Sequence, residues 1–311
     1  MIWIIGSGQM AKEYVKVLKA LNKKFLVIGK SIKKANYLKR EESVEVISGG
    51  VEKFLLTNPT KPSNVIICTQ IENLFIVSKS LIKYGIKNLL IEKPASINIK
   101  EIRKLSILKK KYKLNIFVAY NRRFYSSYLY LQNKLKKEKL LAIQFEITEW
   151  ANTIEDANFS NEVKQKWVLS NTSHVIDMVL NLSGDIKKLE TFNMASLKWH
   201  KSSSRFAGAG ISKSNVLLSY IGCWDSPGRF SVEVFTNKCR YIFKPLEKIK
   251  VQKMNSIEIN DVKDVNYELD NKFKPGLFLQ TKNFLLGKDK RLCSIDQHLK
   301  NFHYYNQIAN Y

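Results

Sequence analysis

Four apolar residues, Ile2-Trp3-Ile4-Ile5, run straight into Gly6-Ser7-Gly8-Gln9-Met10-Ala11, and the glycines open a helical pattern. A strand, a glycine turn and a helix in that order constrain a chain more than any bulk property. They form the first βα unit of a parallel sheet and a site for a dinucleotide pyrophosphate. Gly6 permits the tight turn, Gly8 lets the backbone approach the phosphates, and Ala11 fills the third small position, where helix and strand pack closely. The first N–H groups of the helix and its positive dipole end would receive the anion. The structural alternative is an ordinary βα turn. On the first reading, Gly6, Ser7, Gly8, Gln9 and Met10 bind cofactor.

The alternation continues. Strands are expected at 2–5, 25–28, 45–48, 64–69, 88–91 and 115–119. Helices are expected at 9–21, from about 32, at 51–56, 73–84 and 98–112. The continuous apolar run at 64–69 reads as a strand buried on both faces. Gly85 stops one helix, and Ser96 or Asn98 caps another. Strands alternating with crossover helices imply an α/β fold with a doubly wound parallel sheet over residues 1–120. Beyond Tyr120 the rhythm changes. Helices are expected at 124–137 and 166–182, with a polar loop over 151–165. Strands are expected at 140–150, 189–200, 216–224, 229–236 and 239–243, and helices at 276–286 and 295–311. This pattern implies a second, α+β domain over 121–311 built on an antiparallel sheet.

The length of 311 residues accommodates two such domains. Four cysteines without metal-ligand spacing argue against a zinc site and a disulfide framework. No apolar run would span a bilayer, no secretory leader is apparent, and a reducing cytoplasm is the expected compartment. The formal net charge is +25, mostly lysine and spread along the chain. That distribution points away from a nucleic-acid stripe and toward a general field that collects phosphorylated or nucleotide-linked substrates.

The second strand ends Ile28-Gly29-Lys30-Ser31, where an NAD site would carry an acid for the ribose 2′-OH. Lys30 and Ser31 instead suit a 2′-phosphate, which favours NADP over NAD. Glu92-Lys93-Pro94 closes another parallel strand, at the end where ligands bind. There Lys93 can carry a proton with Glu92 orienting it, or can be a surface lysine. His174 and Asp177, three apart on a helix, share a face and suit an acid/base pair, with a structural histidine as the alternative. Tyr120-Asn121-Arg122-Arg123 follows the last parallel strand. Its arginines either hold a substrate anion or form an ion-paired hinge.

The glycine fingerprint, Glu92-Lys93-Pro94, Tyr120-Asn121-Arg122-Arg123 and His174-Val175-Ile176-Asp177, in this order and at these separations, resemble the Gfo/Idh/MocA family of glucose–fructose oxidoreductase and inositol dehydrogenase. The resemblance implies a Rossmann domain followed by an α/β domain with a large, mostly antiparallel sheet that often forms the oligomer interface. It implies hydride transfer between NAD(P) and a sugar, cyclitol or related alcohol or carbonyl. Lys93 corresponds to the family's catalytic lysine and His174 to its acid/base histidine, with Asp177 supporting it or lining the site. Cys68-Thr69-Gln70 corresponds to the segment along the cofactor, with Gln70 replacing the usual proline. Glu92 and Lys93 fall beside the cofactor as well. Tyr120, Arg122, Arg123, Ser170 and His174 fall on the substrate side, where Ser170 replaces the usual aspartate. Ser226-Pro227-Gly228-Arg229 and Lys244-Pro245-Leu246-Glu247 are similar to members linked to surface-polysaccharide sugars.

The expectation is a cytoplasmic oxidoreductase using NADP or NAD on a sugar or nucleotide-linked sugar. It would need no metal, nucleic acid or membrane, and would assemble as a homo-oligomer, dimer or tetramer, through the C-terminal sheet. A non-catalytic dinucleotide- or sugar-binding protein of the same fold is the alternative.

Overall fold

The computed structural model describes residues 1–287 and 289–311. In chain order the first elements are β1 (Ile2–Ile5), α1 (Gln9–Ala20), β2 (Phe25–Ile28), α2 (Ile32–Glu42), β3 (Val46–Ile47) and α3 (Val51–Leu56). Then come β4 (Asn64–Ile67), α4 (Ile71–Tyr84), β5 (Asn88–Ile91), α5 (Ile99–Tyr112) and β6 (Asn115–Val118). The next stretch holds α6 (Ser126–Lys134), β7 (Leu140–Glu146), α7 (Ala151–Asp156), α8 (Asn161–Gln165) and α9 (Ser173–Ser183). Strands β8 (Ile186–Met194), β9 (Arg205–Ser212), β10 (Leu217–Cys223), β11 (Ser231–Thr236), β12 (Cys239–Phe243), β13 (Lys250–Lys253) and β14 (Ile259–Asp261) follow. The chain finishes with α10 (Glu268–Lys272), α11 (Leu277–Leu286), β15 (Cys293–Ser294) and α12 (Ile295–Ala309).

Two compact units divide these elements: residues 1–121 with 272–300, and 122–271 with 301–311. The first boundary lies one residue from the expected position. The sequence reading assigned 272–300 to the second domain, and the structure returns it to the first. The physical reason is β15, which pairs antiparallel with β6 through Cys293 and Val118 and completes the first sheet.

That sheet has the order β15-β6-β5-β4-β1-β2-β3 and is parallel except at β15. Strand β1 pairs with β2 on one side and β4 on the other. The chain therefore winds outward in both directions from β1, and the carboxyl ends of β1 and β4 form the crevice where such sheets bind ligands. Ile4, Ile66, Ile67, Leu90 and Ile91 are buried in the sheet, because helices cover both faces of a parallel sheet. Gly85 ends α4 in the left-handed region, and Asn98 caps α5 by accepting the Lys100 N–H at 2.9 Å.

The second sheet has the order β14-β13-β12-β11-β7-β10-β9-β8, with β7 and β10 parallel and every other pair antiparallel. Strand β10 alternates exposed Leu217, Ser219 and Ile221 with buried Leu218, Tyr220 and Gly222, as a half-buried strand must. Several expectations are corrected. The loop over 151–165 holds α7 and α8. The helix from 124 is a 3₁₀ turn at Asn121–Phe124 followed by α6, which ends at Lys134. The helix from 166 begins as a π-turn at Val168–Thr172 and becomes α only at Ser173. Strands β9, β13 and β14 were absent from the sequence reading.

Candidate functional site

A cleft of about 460 Å³ opens at the carboxyl ends of β1, β2 and β4. Gly6, Ser7 and Gly8 form its floor, with Lys30 and Ser31 on one side and Cys68, Thr69 and Gln70 on the other. Gly6 has φ +128°, and a Cβ there would lie 2.5 Å from the Cys68 carbonyl oxygen. Only glycine fits where the first turn presses against the end of β4. Gly8 differs, because a Cβ built there meets nothing within 4 Å and would project into free space. Gly8 caps α1 without a side-chain hydrogen bond, and the first turn of α1 carries no acid. The leading N–H groups of a 12-residue helix thus face a glycine-floored crevice, a cradle suited to pyrophosphate.

Beside the cleft, β5 runs into Glu92-Lys93-Pro94, with a cis Lys93–Pro94 bond. The buried Tyr14 of α1 donates its hydroxyl proton to Glu92 Oε1 at 2.7 Å. Burial pushes the Glu92 carboxyl up from its ordinary value, against the pull of the Tyr14 hydrogen bond, the Lys93 and Lys274 charges and the Lys93 N–H. Burial, then Glu92, pushes the Cys68 thiol well up from its ordinary value. Lys93 therefore stands at a strand end next to a carboxyl group that α1 holds in place.

In the second unit, His174 sits in the first turn of α9, half-buried, directly after the π-turn. Such turns recur at functional sites. Asp177 does not partner it. The Asp177 carboxylate accepts Arg123 Nε at 2.6 Å and Nη2 at 2.5 Å, and both side chains are fully enclosed. Of the two roles the sequence leaves open for Arg123, the structure shows the ion pair, and it places Asp177 as the counter-ion. Ser170 is also buried, and its hydroxyl donates to Val163 O and Lys166 O at 3.2 and 3.0 Å. Tyr120, in the first unit, is buried with its hydroxyl 3.3 Å from His298 Nδ1. Neither presents a surface to a substrate. Arg122 stays half-buried over the Phe230 ring, with Nη1 lacking a hydrogen-bond partner among the described residues.

Residues 1–120 match the GFO_IDH_MocA family model, described as an oxidoreductase family with an NAD-binding Rossmann fold. The match covers the first sheet's β1–β6 and the glycine turn. No curated protein matches the chain in sequence. Solved structures match it over both units. An oxidoreductase from Agrobacterium radiobacter in complex with NAD+, L-tartaric acid and magnesium is 12% identical with a TM-score of 0.80, covering 99% of this chain and 96% of that one. UDP-N-acetylglucosamine 3-dehydrogenase GnnA from Acidithiobacillus ferrooxidans is 13% identical with a TM-score of 0.77, at 99% and 96% coverage. A Gfo/Idh/MocA family oxidoreductase from Vibrio cholerae is 17% identical with a TM-score of 0.78, at 99% and 96% coverage. At these identities the likeness is one of fold.

The cleft gathers eight residues named from sequence: Gly6, Ser7, Gly8, Lys30, Ser31, Cys68, Thr69 and Gln70. Gln9 lines the adjoining hollow, while Met10, Glu92 and Lys93 lie outside the lining of both. Sequence reading missed Glu52 and Lys34, which line the same cleft from α3 and α2. Glu52 places a carboxylate in the cleft, whereas the end of β2 has none. Its signal is weak, because α3 lies beyond the expected spacing and only the sheet brings it round.

Proposed function

We propose that the protein is an oxidoreductase of the cytoplasm that moves hydride between NAD(P) and a hydroxyl or carbonyl carbon of a sugar or nucleotide-linked sugar, in surface-polysaccharide synthesis. The observation that carries this reading is the uncapped, glycine-floored start of α1 beside the Lys93 strand end. The nicotinamide, when bound, supplies or takes up the hydride. In the oxidation direction the substrate hydroxyl gives its proton to Lys93 Nζ as the carbonyl forms, and in reduction Lys93 returns it. His174 is the second proton carrier, and Arg122 holds a polar part of the substrate. A nucleotide-sugar substrate accords with the name of the Acidithiobacillus ferrooxidans enzyme. Cys68, Cys223 and Cys239 form no disulfide, which suits a reducing compartment. Among the described residues no helix is long and apolar enough to cross a membrane.

NADP is the proposed cofactor. Lys30 and Lys34 place two cations in the cleft, and Ser31 caps α2 by accepting the Lys34 N–H at 3.4 Å. Two cations at a helix start attract a 2′-phosphate, whereas Glu52 favours a 2′-hydroxyl. The test is a fluorescence titration with NADPH and NADH. Tighter NADPH binding that a Lys30→Ala/Lys34→Ala variant removes supports the assignment, and tighter NADH binding overturns it. For the enzyme class, Lys93→Ala should abolish turnover on a panel of sugars and nucleotide sugars while cofactor binding persists. Full activity in that variant would sink the mechanism.

The outer face of the second sheet is the proposed homo-oligomer interface. Phe192 and Ile221 stand exposed there, each opposite Ala207 in the ladder. Ile221→Glu should shift the mass measured by light scattering toward the monomer, and an unchanged mass would reject this face.

A further inference from the structure

The turn before His174 decides where its imidazole stands. Val168–Thr172 wind as a π-turn, and α9 begins at Ser173. A helix advances about 100° per residue, so one residue taken up or released in that turn swings His174 by about 100° around the axis. π-winding is rare, since α-winding competes with it at every step. Groups outside the turn must therefore hold it, and the second unit supplies them from two distant segments.

At the exit of the turn stands Glu149, whose side chain is only 1% exposed. One of its oxygens accepts Asn171 Nδ2 and Thr172 Oγ1, each at 2.8 Å, and the other accepts Arg229 Nη1 at 2.6 Å. At the entrance, the Val168 N–H donates to the Tyr311 hydroxyl at 3.1 Å, across 143 positions of chain. That N–H heads a helical turn, where backbone donors lack partners within the helix. The Tyr311 hydroxyl therefore caps the turn from outside. It also donates to His200 Nε2 at 2.7 Å, while His200 Nδ1 donates to the Ser203 carbonyl at 2.6 Å. His200 is fully enclosed, 4.6 Å from the Trp224 ring centroid.

The rest of Tyr311 is fixed as well. Its N–H donates to Asn306 O at 3.0 Å, and the Lys166 ammonium lies 3.9 Å from its ring centroid. Burial pushes its phenol well above the ordinary value, so the hydroxyl keeps its proton and goes on donating to His200. A tyrosine used only for packing needs no more than its ring. Here the hydroxyl joins the first N–H of the turn to an enclosed imidazole.

We propose that Tyr311 is a positioning residue for His174: its hydroxyl, oriented by His200, holds the entrance of the π-turn and so fixes the His174 imidazole. The consequence for turnover rests on His174 as a proton carrier, whereas the coupling of Tyr311 to His174 does not.

The experiment is NMR of the full chain, isotope-labelled at histidine and valine, without cofactor or substrate. His174→Gln identifies the His174 ring signals among the four histidines. Tyr311→Phe removes the hydroxyl and keeps the ring, so the fold should persist, which near-ultraviolet circular dichroism checks. Ile308→Val, a buried change on α12 that leaves the hydroxyl in place, controls for lost stability. In Tyr311→Phe the His174 ring signals should move or split, and the Val168 amide should exchange with solvent at least about fivefold faster. Ile308→Val should leave the His174 signals in place. On the sugar panel, kcat of Tyr311→Phe should fall at least about tenfold with NADH binding unchanged. His174 signals that overlay the parent's in Tyr311→Phe, or that move equally in Ile308→Val, would overturn the assignment. So would a parent Val168 amide that exchanges as fast as that of the exposed Ile257, a result that needs no variant. A His174 ring that moves in Tyr311→Phe, beside a His174→Gln variant with full turnover, would leave the coupling standing and remove His174 from proton transfer.

Discussion

Arg123 and Asp177 meet as a doubly hydrogen-bonded pair with no solvent access, 54 positions apart in the chain. Tyr305 extends the pair, with its hydroxyl 3.5 Å from Asp177 Oδ1. A buried ion pair adds little net stability, but removing one partner strands the other charge and costs about 3–5 kcal/mol. Asp177→Ala should therefore lower the urea midpoint sharply, and an Arg123→Met/Asp177→Leu double variant should recover most of the loss. A single variant costing less than about 1 kcal/mol would show that the pair is not enclosed as described.

The two glycines of the first turn should fail in different ways. Gly6→Ala forces a Cβ against the Cys68 carbonyl at a positive φ, so both folding and cofactor binding should suffer. Gly8→Val starts in open space, so the melting temperature should hold while NADH and NADPH binding falls at least about tenfold. Thermal melts and titrations on the two variants separate the outcomes, and equal destabilisation by both would contradict the geometry.

Tyr14 should set the titration of Glu92. Its hydrogen bond lowers a carboxyl group that burial raises. Tyr14→Phe removes only the hydroxyl, so the Glu92 pKa should climb further and stability should drop by about 1–3 kcal/mol. Carbon-13 NMR of the Glu92 carboxyl through a pH series reads the first effect directly. A curve that overlays the parent's would mean the hydroxyl does not engage it.

His200 predicts an acid sensitivity. Burial, with Lys166 nearby adding to it, lowers its pKa to about 4, although the Ser203 carbonyl pulls the other way. The ring lies 2.6 Å from Ser203 O through Nδ1 and 2.7 Å from the Tyr311 hydroxyl through Nε2. A carbonyl can only accept, so Nδ1 carries the proton and Nε2 accepts from Tyr311. The unfolded chain binds a proton near pH 6.5 that the folded chain refuses until about pH 4. Stability from this group is full above 6.5 and is lost as pH falls through that window, by about 2–3 kcal/mol in all. Melts from pH 7.5 to 4.5 should steepen accordingly, and His200→Gln should flatten the slope. An identical slope in that variant would refute the assignment.

Much of the first unit was legible because its signals are local. The apolar runs of β1 and β4, Gly85 after α4 and Asn98 before α5 each act within a few residues. Strand β9 was not legible, since Arg205–Ser212 is mostly small residues without clear alternation. The cause is tertiary: a side chain at Gly208 would run into the Tyr220 ring and the Glu190 carbonyl of the neighbouring strands. Strand β13, Lys250–Lys253, is polar enough to pass for a turn. At the sites, the glycine cradle was readable because one turn makes it. Glu52, the Arg123–Asp177 pair and the Glu149–Arg229 pair were not, because sheet registers join distant segments there.

The return of residues 272–300 to the first sheet gives synthesis on the ribosome a definite order. Six parallel strands and the glycine cradle emerge early, but β6 gains its neighbour only when Cys293 and Ser294 have been made. Until then Asn115–Val118 offers an unpaired row of N–H and C=O groups to any other extended chain. A fragment cut at residue 120 would keep that open edge permanently, so such a fragment is the form of this protein most prone to aggregate.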